Sequence, residues 1–224
     1  MNERPDIIVF DVNETLLSLS TLRPGFVEVF GTADLIGEWF ARMLHGSVVS
    51  NELGDYRSFG TIGVEAMFML AHKHGIELSH ERAESVVAGM RRLEPHPDVG
   101  PALESLRAAG FRTATLTNGS TEAASAQLDH AGLTPFLDES MTVDEVRRFK
   151  PAREVYEAAA DRFGVEISGM LMVAAHDWDI AGAAVAGCRT AFVLRPGVSW
   201  TLPGDPPDLV IENLNELVEV LTHG

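Results

Sequence analysis

The chain opens with an unbroken apolar run, Ile7-Ile8-Val9-Phe10, that stops abruptly at Asp11-Val12-Asn13-Glu14-Thr15. A run of strand length with no alternating polar face predicts a parallel strand buried on both sides, delivering a carboxylate, an amide and a hydroxyl at its carboxyl end. From Leu16 to about Pro95 apolar residues recur at spacings of three and four. The segments 24–29, 33–44, 59–74 and 79–93 therefore read as helices, with Ser79 as an N-cap and Gly75 as a C-cap.

After a Pro-rich exit at 94–98 the pattern changes again. An amphipathic helix over 99–109 leads to a β-rich run at 111–116 closing in Thr117-Asn118-Gly119-Ser120, then a helix over 122–131. A short segment at 136–141 and another at 143–149 precede Lys150-Pro151, which opens a helix running to Phe163 with Pro151 in its first turn. A second buried run, 170–175, ends in His176-Asp177-Trp178-Asp179 and feeds a helix over 180–186. Strands at 190–194 and 209–211 and a final helix complete the chain. Alternation of this kind predicts an α/β fold with a doubly wound, Rossmann-like parallel sheet. The helical stretch is too long for an ordinary crossover, so residues 18–95 are expected to form an inserted helical cap domain. Residues 1–17 and 96–224 would then make the core domain.

Composition narrows the class. The chain has 224 residues, 46% of them apolar and 22% charged, which is globular. No apolar run nears the roughly 18 residues that would span a bilayer, so no membrane association and a cytoplasmic location are expected. One cysteine, Cys188, excludes an intramolecular disulfide framework. A formal charge of -16 with no basic stripe argues against nucleic acid. It also means that an anionic ligand would have to be held by local cations and helix N-termini.

Four predicted strand or loop ends carry polar groups in order: Asp11 to Thr15, Thr117-Asn118, Lys150, and His176 to Asp179. In open α/β sheets ligands sit beyond the carboxyl ends of strands, where Asp11 suits a carboxylate nucleophile. This arrangement resembles the haloacid dehalogenase superfamily, whose motifs are a nucleophilic Asp, a Ser or Thr, a Lys and a terminal acidic loop, with a cap between the first two. It is most similar to the type II (S)-2-haloacid dehalogenases, through Thr117-Asn118-Gly119-Ser120, Lys150-Pro151 with Val155-Tyr156, and Trp178-Asp179 followed by Gly182.

The resemblance implies hydrolysis of short 2-haloalkanoic acids to 2-hydroxy acids through an aspartyl ester on Asp11, with no cofactor and no metal. Its expected partner is a small anionic 2-haloacid, and a homodimer through the cap is a plausible assembly. The catalytic set would be Asp11, Thr15, Lys150, His176 and Asp179. Lys150 would keep Asp11 ionised and hold the substrate by charge; Asp179 would pair with Lys150 or orient water. Substrate contacts would come from Asn13, Phe40, Arg42, Thr117, Asn118, Tyr156 and Trp178. For several of these a plainer role stays open: a turn hydroxyl for Thr15, N-capping for Thr117 or Ser120, a core tyrosine for Tyr156, and a backbone hydrogen bond for His176.

The sequence departs from that family in three places. Asn13 stands where the dehalogenases usually carry Tyr, His176 replaces Asn in the last loop, and the cap arginine falls on Phe40, with Arg42 close by on the same helix. A magnesium-dependent phosphatase of the same superfamily is the alternative activity, although it would need an acid–base residue where Asn13 stands and a metal ligand where Ala175 stands. A catalytically silent, small-carboxylate-binding member of the fold is a further alternative.

Overall fold

A computed structural model describes residues 4–223; residues 1–3 and 224, at the ends of the expected core domain, lie outside the described residues. The elements in order are β1 (Ile7–Phe10), β2 (Leu17–Ser18), α1 (Arg23–Phe30), α2 (Ile36–Leu53), α3 (Phe59–Lys73), α4 (His80–Ala88), β3 (Glu94–Pro95), α5 (Val99–Ala108) and β4 (Thr113–Thr117). They continue with α6 (Thr121–His130), β5 (Glu139–Thr142), α7 (Arg153–Phe163), β6 (Met170–Ala174), α8 (Asp177–Ala186), β7 (Arg189–Val193), β8 (Leu209–Ile211) and α9 (Leu214–His223). Among the described residues no helix is long and apolar enough to cross a membrane.

The main sheet runs β5-β4-β1-β6-β7-β8, and every neighbouring pair is parallel. All four residues of β1 are fully buried, which is why that strand carries no polar alternate positions. From β1 the chain winds outward through β4 and β5, then returns to place β6 on the other side of β1. The direction of winding reverses there, and Asp11 lies at the crevice this creates.

The helical segment leaves and re-enters the sheet at one place. Leu17 pairs with Pro95 and Ser18 with Glu94, so β2 and β3 form a short antiparallel ribbon at the two ends of the insertion. Within the insertion Trp39 is fully buried, edge-on to Phe26 at 5.4 Å, and its Nε1 donates to Gly63 O at 2.9 Å. A buried indole keeps its donor satisfied in this way. Met67 lies in the same apolar cluster, as its helical spacing implied.

Two expectations need correction. The helix expected over 33–44 begins at Ile36 and runs on to Leu53, where Gly54 ends it with φ 64°. Gly46 is not a stop: a Cβ there would come within 2.7 Å of Ile62 Cγ2, so the glycine permits close packing of α2 on α3. The extension matters, because Asn51 on its last turn donates to Phe149 O at 2.8 Å and accepts the Phe149 N–H at 2.9 Å, which ties α2 to the residue beside Lys150. Pro151 is not in the first turn of α7. Ala152 N–H closes onto Phe149 O at 3.0 Å, and the turn this makes turns Lys150 inward before the helix starts at Arg153.

That turn packs on α8 with little spare room. A Cβ on Gly182 would lie 2.5 Å from Pro151 Cβ and 2.9 Å from the Tyr156 hydroxyl. Gly182→Ala should therefore destabilise the fold by about 1–3 kcal/mol, the usual cost of overpacking. Urea unfolding measures this, and an unchanged midpoint would show that the contact relaxes at no cost.

Candidate active site

Asp11 follows β1 directly and is held by its own loop and by the neighbouring strands. Its N–H donates to Val173 O at 3.0 Å, Thr15 Oγ1 donates to its Oδ2 at 2.7 Å, and Lys150 Nζ donates to its Oδ1 at 2.8 Å. Thr15 is fixed in turn, because its hydroxyl oxygen accepts the Ala175 N–H at 2.9 Å.

Lys150 is 1% exposed and uses all three ammonium donors: Asp11 Oδ1, Leu116 O at 2.9 Å and Asp179 Oδ2 at 2.6 Å. Asp179 is fully buried; its Oδ1 accepts the Tyr156 hydroxyl at 2.6 Å. Two carboxylates thus share one ammonium, and they divide. Burial works against ionising Asp11, but the adjacent Lys150 charge, joined by His176 and by the hydrogen bonds of Lys150 and Thr15, outweighs burial and holds that carboxyl below its ordinary 3.8. For Asp179 burial, reinforced by the charge of Asp11, wins over Lys150 and the carboxyl is raised. Burial would lower Lys150, yet the two carboxylates raise it. Asp11 is therefore the carboxyl of the two that gives up its proton more readily.

A small cavity of about 10 Å³ lies over Asp11, lined by Asn13, Phe40, Leu44, Phe59, Asn118, His176 and Trp178. That is about the least space that holds one water. A much larger cleft of about 720 Å³ adjoins it, sharing Asn13 and Phe59 as walls. His176 is sandwiched between Phe40, at 5.7 Å between ring centres, and Trp178, at 5.2 Å. Its Nε2 lies 3.1 Å from Asn13 O, which can only accept, so Nε2 carries the proton there; Asp11 Oδ2 is 3.8 Å away. Asn118 Oδ1 accepts the Lys150 N–H at 2.9 Å, which fixes the amide orientation and leaves Nδ2 buried at the cavity wall with no partner among the described residues.

A sequence model described as haloacid dehalogenase-like hydrolase matches residues 5–187. The chain belongs to that family. It is 30% identical over 215 residues to (S)-2-haloacid dehalogenase 1 of Pseudomonas sp. strain CBS-3, with 95% of each chain covered. It is 26% identical over 183 residues to haloacetate dehalogenase H-2 of Moraxella sp. strain B, with 82% of each covered. A crystal structure of a dehalogenase with intermediate complex superposes with a TM-score of 0.90 at 26% identity, covering all of both chains.

Within this haloacid dehalogenase-like site, several sequence-derived assignments change. Arg42 does not reach the cavity: it pairs with Glu38 at 2.7 Å, which also takes Lys73, on the outer face of α2. Residues two apart on a helix are separated by about 200°, so with Phe40 facing inward Arg42 has to face out. Tyr156 is a fully buried core residue whose hydroxyl is spent on Asp179 rather than on substrate. The Thr117 hydroxyl accepts the Gly119 N–H at 3.1 Å and closes the loop before α6, whose N-cap is Ser120. Lys150, with every donor engaged, has none left for a substrate carboxylate, and Asp179 has both oxygens engaged behind it. Asp177 turns away, accepting the Trp178 N–H and the Thr201 hydroxyl.

Two groups in the site carried no motif. Gln127 Nε2 donates to Asn13 Oδ1 at 2.9 Å and to Met90 O at 2.8 Å. Arg195 donates to Thr15 O. Their only local signal was a polar residue among apolar neighbours, Gln127 on a helix face and Arg195 just after a buried strand.

Lys150→Gln should keep the fold while removing the charge that keeps Asp11 ionised. We expect kcat/KM to fall by at least about a hundredfold, the scale of losing one preorganised electrostatic partner. The acid limb of the pH–rate profile should also move upward, because Asp11 then loses the largest of the effects that oppose its burial. An unmoved limb would mean that Asp11 does not govern it.

Proposed function

We propose that this chain hydrolyses the carbon–halogen bond of short 2-haloalkanoic acids to 2-hydroxy acids, using Asp11 as nucleophile and no metal. The observation that carries the reading is the Asp11 carboxyl, bonded by Lys150 Nζ at the floor of a small aromatic cavity, with the lysine charge favouring its anion. A carboxylate held by two hydrogen bonds retains lone pairs for attack. The names of the relatives, an (S)-2-haloacid dehalogenase and a haloacetate dehalogenase, support the substrate class.

In this mechanism Oδ2, on the His176 side, attacks the 2-carbon from the face opposite the halogen. The carbon–oxygen bond forms as the carbon–halogen bond breaks, the carbon inverts, and halide leaves toward the aromatic end of the cavity formed by Phe40 and Trp178. Asn118 Nδ2, a buried donor without a protein partner, takes the substrate carboxylate. Water held beside His176 then attacks the ester carbonyl; one of its protons goes to the departing 2-oxygen and the other to solvent. Oδ1 becomes the oxyanion with Lys150 Nζ already 2.8 Å away, so the charge that develops meets a donor that need not reorganise. Collapse expels the 2-hydroxy acid carrying an Asp11 oxygen and restores the carboxylate with one oxygen from water.

Residues 18–95 act as the cap, contributing Phe40, Leu44 and Phe59, and residues 1–17 with 96–224 as the core. The β2–β3 ribbon is the natural hinge between them. The lone thiol, Cys188, is buried, in keeping with a cytoplasmic enzyme that needs no disulfide.

The deciding assay is halide release from 2-chloropropanoate and haloacetates in excess chelator, beside phosphate release from phosphate esters with magnesium. Chelator-insensitive halide release is expected, and Asp11→Asn should lose nearly all of it while remaining folded. A single turnover in heavy-oxygen water should label Asp11 and not the first product; label in that product would reject the ester route. Magnesium-dependent phosphate release with no halide release would reverse the assignment.

A further inference from the structure

Three successive backbone carbonyls of the nucleophile loop are gripped from one side. Glu14 O faces His96 Nε2 at 3.2 Å, Thr15 O accepts Arg195 Nε at 3.1 Å and Nη2 at 2.8 Å, and Leu16 O accepts the His96 N–H at 2.9 Å. Arg195 is itself fixed, because its Nη1 donates to both oxygens of Asp98 at 2.8 and 2.9 Å. Asp98 Oδ2 also accepts the Leu214 N–H at the start of α9. Only 8% of the Arg195 side chain and 11% of the Asp98 side chain are exposed, so solvent screens this pair little. A guanidinium presents its donors in a rigid planar fork, and here one edge reads a carboxylate while the other reads a single carbonyl.

Neither Arg195 nor Asp98 lines the catalytic cavity. Their effect has to pass through Thr15, which turns its backbone to Arg195 and its hydroxyl to Asp11 Oδ2. Threonine is stiff about χ1, so the placement of its backbone decides where the hydroxyl points. The loop also needs an external hold: Glu14 sits at φ 63°, a region that residues with a Cβ enter reluctantly.

We propose that Arg195 and Asp98 are positioning residues for the dehalogenase reaction, fixing the Thr15 backbone so that its hydroxyl meets the Asp11 oxygen that attacks. This rests on the role given to Asp11 above. Arg195→Met and Arg195→Lys test it, each made alone and with Thr15→Ala, with kcat, KM and melting temperature measured on 2-chloropropanoate by halide release. With Thr15 intact, Arg195→Met should lower kcat by about tenfold to a hundredfold, the range lost with a hydrogen bond to a charged group, with KM altered less than about threefold. Arg195→Lys should recover part of that kcat.

In the Thr15→Ala background the same changes should cost less than about threefold more, because the hydroxyl that they aim is gone and the two effects cannot add. Equal losses in both backgrounds of an active enzyme would overturn the proposal, whatever the melting temperature does. If Arg195→Met does not fold, the Arg195→Lys cycle decides by the same criterion. Absence of halide release from the unsubstituted protein would overturn the activity reading first, and this proposal with it.

Discussion

A single ammonium stands at the centre of this protein. Lys150 Nζ lies 2.8 Å from Asp11 and 2.6 Å from Asp179, with its third proton on Leu116 O. Removing one partner from such a buried group typically costs about 3–5 kcal/mol, because the remaining charge is left without compensation. The surrounding structure is arranged so that no partner is missing. The turn at 149–152 brings Lys150 inward, α8 delivers Asp179 from its first turn, Tyr156 on α7 saturates the far oxygen of Asp179, and β1 presents Asp11 from the opposite side.

The arrangement is asymmetric in charge. Two carboxylates that compete for one cation are driven apart in pKa, and the difference in their surroundings decides which is depressed. Both are buried, but Asp11 has His176 and Thr15 beside it to favour its anion, whereas Asp179 feels the charge of Asp11 as well. The depressed carboxyl faces the cavity where a substrate carbon would sit, and the raised one is behind the lysine. Chemistry and stability meet in the same three residues, and a change aimed at one reaches the other.

The cavity carries a matching constraint. At about 10 Å³ it sets Asp11 against aromatic and aliphatic side chains, and so little room for water strengthens the electrostatic interactions at its floor.

The sequence by itself determined the buried first strand and the carboxylate at its end, the parallel sheet, the helical insertion and the place of Lys150 ahead of its helix, because apolar period and chain order are local properties. It also misplaced the end of α2, given as residue 44 where the helix runs to Leu53, because the close approach of Gly46 to Ile62 is a contact between elements. The phase of α2 was legible but unused: with Phe40 inward, Arg42 two residues later has to point out. Tertiary structure alone decided what long separations bring together. Arg195 and Asp98, 97 residues apart, and Gln127 and Asn13, 114 apart, carry no motif, because their meaning lies in a partner that no local pattern names. Tyr156 belongs with them: helical spacing put it on the right element, and only the packing of α7 on α8 turned its hydroxyl to Asp179 instead of the cavity.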